Sequence, residues 1–333
     1  MPGNTDTSKT PPPLDETSPC TYCGATLSTL LYRTKSIYED EFALHRCSVC
    51  RAVFLVPKPT PKQVELAYAD SYYGEGSKKF GPCVEKALDY FRSSRARKLG
   101  KYLKPPAQVL DVGCGSGDFL RRLVDRGFEG YGTELPGKAA DRAGKIPGLT
   151  LKVGHLSETD FKERSFDAIC MWHVFEHLAE PKRTLHIIES ILKPGGYLFI
   201  SLPNINSLQS RLFRGNWLHL DPPRHLFFLG AADLIAELRQ LGLELTEQSQ
   251  LSIEQNVFGI QQSILNSLLS RRDILFEVLK GNLEYISDCP KWRVLAQKLF
   301  WVSTFPLFAM LAALEAAVRR GGTMEFVFKK VET

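Results

Sequence analysis

Three glycines follow a short apolar run that contains an acid, in the segment VLDVGCGSGD at residues 109–118. The apolar run predicts a buried strand in which Asp111 lies near the end. Gly113, Gly115 and Gly117 then predict a tight turn into the helix FLRRLVDRGF. Backbone N–H groups at such a junction can bind a ligand, because glycine lets the ligand approach closely.

The spacing of these glycines differs from the dinucleotide pattern G-x-G-x-x-G, because the third glycine comes one residue early and Asp118 takes its place. A carboxylate at Asp111 would repel a pyrophosphate but would suit an ammonium or sulfonium group. Glu134 ends the next strand-like run, EGYGTE, 21 residues after Gly113. An acid at that position can accept two hydrogen bonds from ribose hydroxyls.

Two further segments follow in order, FDAICMWHVFEHL at 166–178 and LKPGGYLFISLPN at 192–204. Together with the glycine turn and the acid, they resemble the class I S-adenosylmethionine (SAM)-dependent methyltransferases over roughly residues 85–250 and a last strand at 323–330. The resemblance implies SAM as cofactor and a reaction that methylates an oxygen or carbon acceptor. It also implies a set of cofactor-binding residues: Asp111, Gly113, Gly115 and Gly117 for the methionine part, Glu134 for the ribose, His155 and Leu156 for the adenine, and Met171 and Trp172 for the sulfonium side.

Histidines near this predicted site are candidates for acid–base chemistry, which an oxygen or carbon acceptor can require. His173 closes the fourth predicted strand and is the first choice for a catalytic or acceptor-positioning residue. Glu176 could orient a histidine, and His225 lies in the segment NWLHLDPPRHLFFLG at 216–230, which is predicted to border the acceptor. Structural roles remain the alternative for each. His173 and His177 have a metal-ligand spacing, but the sequence offers no clear third ligand and the resemblance argues against metal.

Four cysteines form two CxxC pairs, Cys20 with Cys23 and Cys47 with Cys50, separated by 23 residues. Two such pairs can supply four thiolates to a tetrahedral, structural zinc ion. A segment of about 40 residues rarely folds without metal or disulfides, which favours a zinc-ribbon-like module at 20–60. Four ordinary buried thiols or a redox pair are the alternatives. Certain sugar C-methyltransferases and some rRNA methyltransferases have a similar N-terminal zinc-binding segment.

Apolar strands alternate with helices from residue 105 onward, which predicts a parallel sheet covered on both faces. The predicted fold class is α/β: a seven-stranded Rossmann-like methyltransferase sheet, a small N-terminal zinc-ribbon-like module and a helical C-terminal insertion. The predicted divisions are a disordered tail (1–19), the zinc module (20–60), a linker and helical lid containing Tyr68, Tyr72 and Tyr73 (61–104), the methyltransferase core (105–250), the insertion (251–322) and a final strand (323–333).

The composition limits the class of partner. The 333 residues are 44% hydrophobic with a net charge of +5, and no sustained basic stripe is present, so nucleic acid is an unfavoured partner. A small-molecule or glycan-type acceptor is predicted, with RNA methylation or a non-catalytic SAM-binding protein as alternatives. The absence of a signal-peptide pattern predicts a cytoplasmic protein, whose oligomeric state the sequence leaves open.

Residues 299–314, LFWVSTFPLFAMLAAL, contain no charge over 16 residues. This is shorter than the roughly 20 residues that span a bilayer. A helix that is buried against the sheet or in a dimer interface is the favoured interpretation, because a predicted core strand follows. A peripheral helix on a membrane surface is the other.

Overall fold

The structure, a computed structural model, describes residues 18–68, 82–282 and 284–332. Nearly all of the predicted tail at 1–19, and Tyr72 and Tyr73 of the predicted lid, lie outside these residues. The strands are β1 (Ser28–Lys35), β2 (Glu41–Cys47), β3 (Val53–Val56), β4 (Gln108–Val112), β5 (Glu129–Glu134), β6 (Leu149–Val153), β7 (Phe166–Trp172), β8 (Leu192–Pro203), β9 (Phe227–Phe228), β10 (Leu243–Ser249) and β11 (Thr323–Lys330).

Helices cover the sheet and fill the segment before its last strand. In the described residues they are α1 (Pro61–Ala67), α2 (Pro82–Leu99), α3 (Asp118–Val124), α4 (Lys138–Ala143), α5 (Pro181–Ile191), α6 (Leu208–Phe213), α7 (Ala231–Gln240), α8 (Phe258–Leu268), α9 (Ile274–Lys280) and α10 (Lys291–Ala317). Short helical turns occur at Phe175–His177, Arg214–Asn216, Leu218–Leu220 and Ile253–Val257.

The larger sheet has seven strands in the order β10-β11-β8-β7-β4-β5-β6. The strands β8, β7, β4, β5 and β6 are parallel, and β11 runs antiparallel to both β8 and β10. This confirms the predicted α/β class and the predicted final strand. The strand order reverses at β4, so the carboxyl ends of β4, β5 and β7 form the expected ligand-binding edge.

The central strands are continuous apolar runs because both of their faces are buried. Val109 and Leu110 of β4 and Ile169 of β7 are each 0% exposed, because helices pack on both faces of the sheet. Asp111 pairs in register with Gly132 of β5 and with Cys170 on β7, so the acid lies inside this core at the carboxyl end of the sheet.

The N-terminal segment forms a second sheet, β1-β2-β3-β9, in which β9 comes from the 216–230 segment. Trp217 and Phe228 pack in one cluster with Phe42 and Leu44 of β2. Tyr22 packs against Phe227 with a ring-centroid distance of 5.6 Å. The predicted module at 20–60 therefore shares its core with the loop that was predicted to border the acceptor.

The segment 251–322 is helical in the described residues. Its apolar stretch is not buried against the sheet of the same chain, and a dimer interface or a membrane surface stays a prediction for its exposed side chains. Helix α10 is long and apolar enough to cross a membrane by length and composition, and only 11% of its most apolar 18-residue window is buried. One stripe packs against the domain, where Gln297, Phe308 and Ala312 are buried. The other faces expose large apolar side chains: Trp292, Leu295, Leu299, Val302, Phe305, Leu307, Met310, Leu311 and Leu314.

Candidate active site

The turn between β4 and α3 adopts the conformation that its glycines permit. Gly113, Gly115 and Gly117 have φ of +68°, +58° and +73°, where side chains are disfavoured. A Cβ on Gly113 would lie 2.7 Å from Val174, and one on Gly117 would lie 2.6 Å from Ile146. A Cβ on Gly115 would meet no described atom within 4 Å. Gly115 is therefore the glycine that faces open space.

Glu134 joins this turn to the end of β5. Its Oε2 accepts a hydrogen bond from Gly115 N at 2.6 Å, and its Oε1 accepts one from Leu135 N at 3.0 Å. The side chain is largely buried, at 7% exposure. These two hydrogen bonds fix the carboxylate at the edge of the open space.

Asp111 is 3% exposed, and its Oδ1 has no hydrogen-bond partner in the described part of the chain. Burial raises the pKa of its carboxyl well above the ordinary value; the positive charge of Arg95 opposes this rise, and Glu134 adds to it. A buried carboxyl oxygen without a donor is unusual in a folded protein. The arrangement would suit a ligand that brings a cationic or hydrogen-donating group to this strand end.

Arg95 of α2 packs over Trp172, the last residue of β7. The guanidinium carbon of Arg95 lies 5.2 Å from the centroid of the Trp172 ring, and Arg95 pairs with Glu254 at 2.7 Å. Arg95 was not singled out from the sequence. Its position in a helix gave no signal, because the sequence does not show which residue turns toward the sheet.

The remaining predicted cofactor residues differ in their surroundings. Trp172 is partly exposed and packs edge-on against Phe119, with 5.7 Å between ring centroids. Met171 is 0% exposed in the main core cluster, so its side chain is a core residue and only its backbone lies at the strand end. His155 is exposed and Leu156 is half-buried just after β6, where Gly154 N donates to Glu134 O at 2.8 Å.

The structure brings together His173, Glu176 and His225, the three predicted catalytic residues. His173 Nδ1 lies 3.4 Å from Glu176 Oε1, and His225 Nε2 lies 3.8 Å from the same oxygen. His173 Nε2 lies 3.2 Å from Ser201 Oγ on the adjacent strand β8. Burial by itself raises the pKa of Glu176, but contact with His173 and the neighbouring imidazoles lower it to about 2. The Glu176 carboxyl group thus lies at the centre of a histidine cluster.

His177, which the sequence analysis considered only for its spacing from His173, belongs to the same cluster. Its ring lies 4.6 Å from that of His225, centroid to centroid. Burial, with a further contribution from His225, lowers the pKa of His177 to about 4. Tyr68, which follows α1, contacts this cluster, because its Oη lies 3.0 Å from His177 Nδ1.

Polar side chains of the 216–230 segment are buried and hydrogen-bonded to neighbouring residues. Arg224 is 4% exposed, donates from Nε to Asp221 Oδ2 at 2.8 Å and donates from Nη1 to Ala67 O at 3.1 Å. His219 is 7% exposed and its Nε2 lies 3.2 Å from Gln255 O. His225 also belongs to this segment, and its Nε2 lies 3.8 Å from Glu176 Oε1.

The four paired cysteines converge at the end of the N-terminal sheet. The Sγ atoms of Cys20 and Cys50 are 3.7 Å apart, and those of Cys23 and Cys47 are 3.5 Å apart. One sulfur from each residue lies within 4.8 Å of the others. Tetrahedral thiolates at the usual zinc–sulfur distance are separated by about 3.8 Å. The donor set and its spacing therefore fit a zinc ion.

Residues 85–248 match the family described as "Methyltransferase domain". The chain is 25% identical over 183 residues to a ubiquinone biosynthesis O-methyltransferase of Alkalilimnicola ehrlichii, covering 52% of this chain and 63% of that protein. It is 28% identical over 183 residues to the protein of the same name from Xanthomonas axonopodis pv. citri, covering 51% and 77%.

A solved structure of a SAM-dependent methyltransferase from Archaeoglobus fulgidus is 20% identical, with a TM-score of 0.44, covering 73% of this chain and 94% of that one. The alignments span 63% and 48% of two of the curated relatives. The N-terminal sheet and α10 lie outside the residues matched by the family.

Proposed function

The chain belongs to the class I SAM-dependent methyltransferases, and from that premise we propose that it transfers the methyl group of SAM to an oxygen or carbon atom of a small-molecule acceptor. The observation that carries this proposal is the open space at Gly115, whose N–H donates to the buried Glu134, next to strand β7, which ends just before His173. A cofactor and an acceptor can then meet above adjacent strand ends.

The residues present fit SAM. Asp111 has a buried oxygen without a partner among the described residues, which suits a hydrogen-donating ammonium group. Glu134 lies at the glycine turn, where a carboxylate can accept from ribose hydroxyls. The guanidinium of Arg95 reaches the same strand ends and could pair with the cofactor's carboxylate. SAM supplies an activated methyl group, and the protein's task is to align the acceptor.

The acceptor side is assigned to His173 and Glu176 at the end of β7, together with His225 from the 216–230 segment. These residues lie at the strand adjacent to β4, so an acceptor bound there would be next to the cofactor. The two curated relatives are named as O-methyltransferases, which favours an oxygen acceptor over a carbon acceptor. A small molecule is also favoured over a glycan, because both relatives are named for ubiquinone biosynthesis.

Calorimetry with SAM and with its demethylated product tests the cofactor assignment on the purified full chain. Saturable binding of both is expected, and the absence of heat with either would contradict it. Incubation with methyl-labelled SAM and pools of phenols, carboxylic acids, glycans and RNA then tests the acceptor. Label in a small-molecule pool supports the proposal, while label only in glycan or RNA would contradict it.

We further propose that the four cysteines bind a structural zinc ion. Gly24, at φ +77°, allows the turn after the first pair, and its N–H donates to Cys20 O at 2.8 Å. The second pair repeats this turn, with Arg51 N donating to Cys47 O at 3.1 Å. Burial raises the pKa of the Cys20 thiol to about 11 and raises that of Cys50, whereas amide hydrogen bonds from Cys50 and Val49 lower that of Cys47 to about 7 despite its burial. Zinc binding would require the thiolate form of all four and would therefore be pH-dependent.

We also propose that the exposed faces of α10 lie on a cytoplasmic membrane surface. Contacts hold the helix along the domain: Gln261 Nε2 donates to Trp301 O at 2.8 Å, and Gln209 Nε2 donates to Glu315 Oε2 at 2.8 Å. A helix attached in this way lies beside the protein instead of crossing a bilayer. Basic residues near its two ends, Lys291, Arg293, Lys298, Arg319 and Arg320, suit anionic headgroups.

Vesicle sedimentation separates this proposal from a dimer interface. The wild-type chain is expected to pellet with anionic vesicles, and Leu299→Glu and Val302→Glu are expected to weaken pelleting. Leu27→Glu is the control, because Leu27 is also exposed, at 69%, but lies in the N-terminal module. A wild-type chain that stays in the supernatant and elutes as a dimer would contradict the membrane assignment.

A further inference from the structure

Glu176, His177 and His225 form a cluster that the methyl-transfer proposal does not fully use. One ligand atom from each of these residues lies within 4.8 Å of the others. Glu176 and His177 lie on the helical turn Phe175–His177 after β7, and His225 comes from the 216–230 segment. Sequence reasoning weighed only His173 with His177 as metal ligands and found no third. The third ligand comes from a distant segment.

The hydrogen bonds of the two histidines orient their free nitrogens. His177 Nδ1 lies 3.0 Å from Arg224 O, and His225 Nδ1 lies 2.8 Å from His219 O. A carbonyl oxygen can only accept, so each Nδ1 carries a proton, and in the singly protonated form of either ring the lone pair lies on Nε2. Metal-ligating histidines are oriented in this way, by donating the other ring N–H to a carbonyl or carboxylate.

The buried carboxylate of Glu176 also points to a bound cation. The residue is 1% exposed, and neither carboxylate oxygen accepts a hydrogen bond of normal geometry from the described residues. The nearby nitrogens, His173 Nδ1 at 3.4 Å and His225 Nε2 at 3.8 Å from Oε1, are beyond a good hydrogen-bond distance. Buried carboxylates are paired or coordinate metals, and a cation between these side chains would satisfy both oxygens.

We propose that Glu176, His177 and His225 bind a divalent transition-metal ion of the zinc, cobalt, iron or manganese type, separate from the four-cysteine site. Two imidazole nitrogens and one carboxylate oxygen are a ligand set for such ions, and imidazole disfavours magnesium and calcium. Ligands at about 2.0–2.2 Å from an ion are roughly 3–4 Å apart, so the 3.8 Å between His225 Nε2 and Glu176 Oε1 already fits.

Three protein ligands would leave coordination positions for further ligands. One of these positions would take an oxygen atom of the acceptor, such as a hydroxyl or phenolate. This role rests on the proposed function, whereas binding of the ion does not. If the ion holds the acceptor in this way, the acceptor must carry an oxygen atom that can bind a metal ion.

Cobalt(II) is a suitable probe, because thiolate ligands give it a charge-transfer absorption that histidine and carboxylate ligands do not. The metal-free full chain is titrated with Co²⁺, and bound metal per chain is counted after gel filtration. Wild type is expected to bind about one ion more than Glu176→Gln, and the spectrum of this additional ion is expected to lack the thiolate band. Glu176→Gln keeps the size of the side chain, and His225→Ala is a second variant that removes a different ligand.

His186→Ala is the matched control, because His186 is an exposed histidine on α5 outside the cluster. Its metal count is expected to equal that of wild type. Equal counts in wild type, Glu176→Gln and His225→Ala would overturn the proposal and leave the cluster as a buried group of charges. SAM binding by calorimetry is expected to persist in Glu176→Gln, so loss of the metal site and failure of the cofactor assignment are distinguishable.

Discussion

Gly115→Ala is predicted to leave the protein folded and to weaken SAM binding. The added Cβ meets no described atom within 4 Å, so its cost to folding is confined to placing alanine at φ +58°. That cost is about 1–2 kcal/mol, which corresponds to a fall in melting temperature of about 1–3 °C in a protein of this size. A methyl group inserted against a closely packed ligand costs about 1–3 kcal/mol, which is a loss of affinity of about 5- to 160-fold.

Gly281→Ala is the control for this prediction. Gly281 has φ +79° and likewise has open space at its Cβ position, but it follows α9, away from the glycine turn. Both variants are expected to lose similar stability by thermal unfolding, while only Gly115→Ala loses affinity for SAM by calorimetry. Equal SAM affinities in wild type and Gly115→Ala would refute the placement of the cofactor at this turn.

Three further predictions test the site and its supports. Glu134→Gln removes a charged acceptor worth about 1.5–3 kcal/mol, so SAM should bind about 10- to 160-fold more weakly by calorimetry, and an unchanged affinity would exclude Glu134 from the ribose contact. Cys47→Ser should lose zinc by elemental analysis while Cys289→Ser, at a half-buried cysteine outside the cluster, retains it; zinc retained in both would contradict the four-cysteine site. Asn256→Ala removes a fully buried acceptor that bonds Thr323 N at 2.9 Å, so urea unfolding should show a loss of about 1–3 kcal/mol, and a variant as stable as wild type would contradict this.

Local patterns in the sequence determined much of the core. The apolar run before Asp111 and the glycines after it specify a strand and a turn because backbone sterics act within a few residues. The same holds for the two CxxC pairs, whose ligands are close in sequence within each pair. Strands such as β4, β7 and β8 were predictable from their own apolar runs, whereas the last strand of the sheet was assigned from the resemblance.

Contacts between distant segments were decided only by the tertiary structure. The pairing of Phe227–Phe228 with β3, the approach of Arg95 to Trp172 and the arrival of His225 beside Glu176 join residues separated by tens of positions or more. Local propensity carries no information about such pairs, because their energy depends on which surfaces the chain brings together. Exposure of α10 has the same origin: hydrophobicity records what a side chain prefers, and only the packed fold shows whether anything covers it.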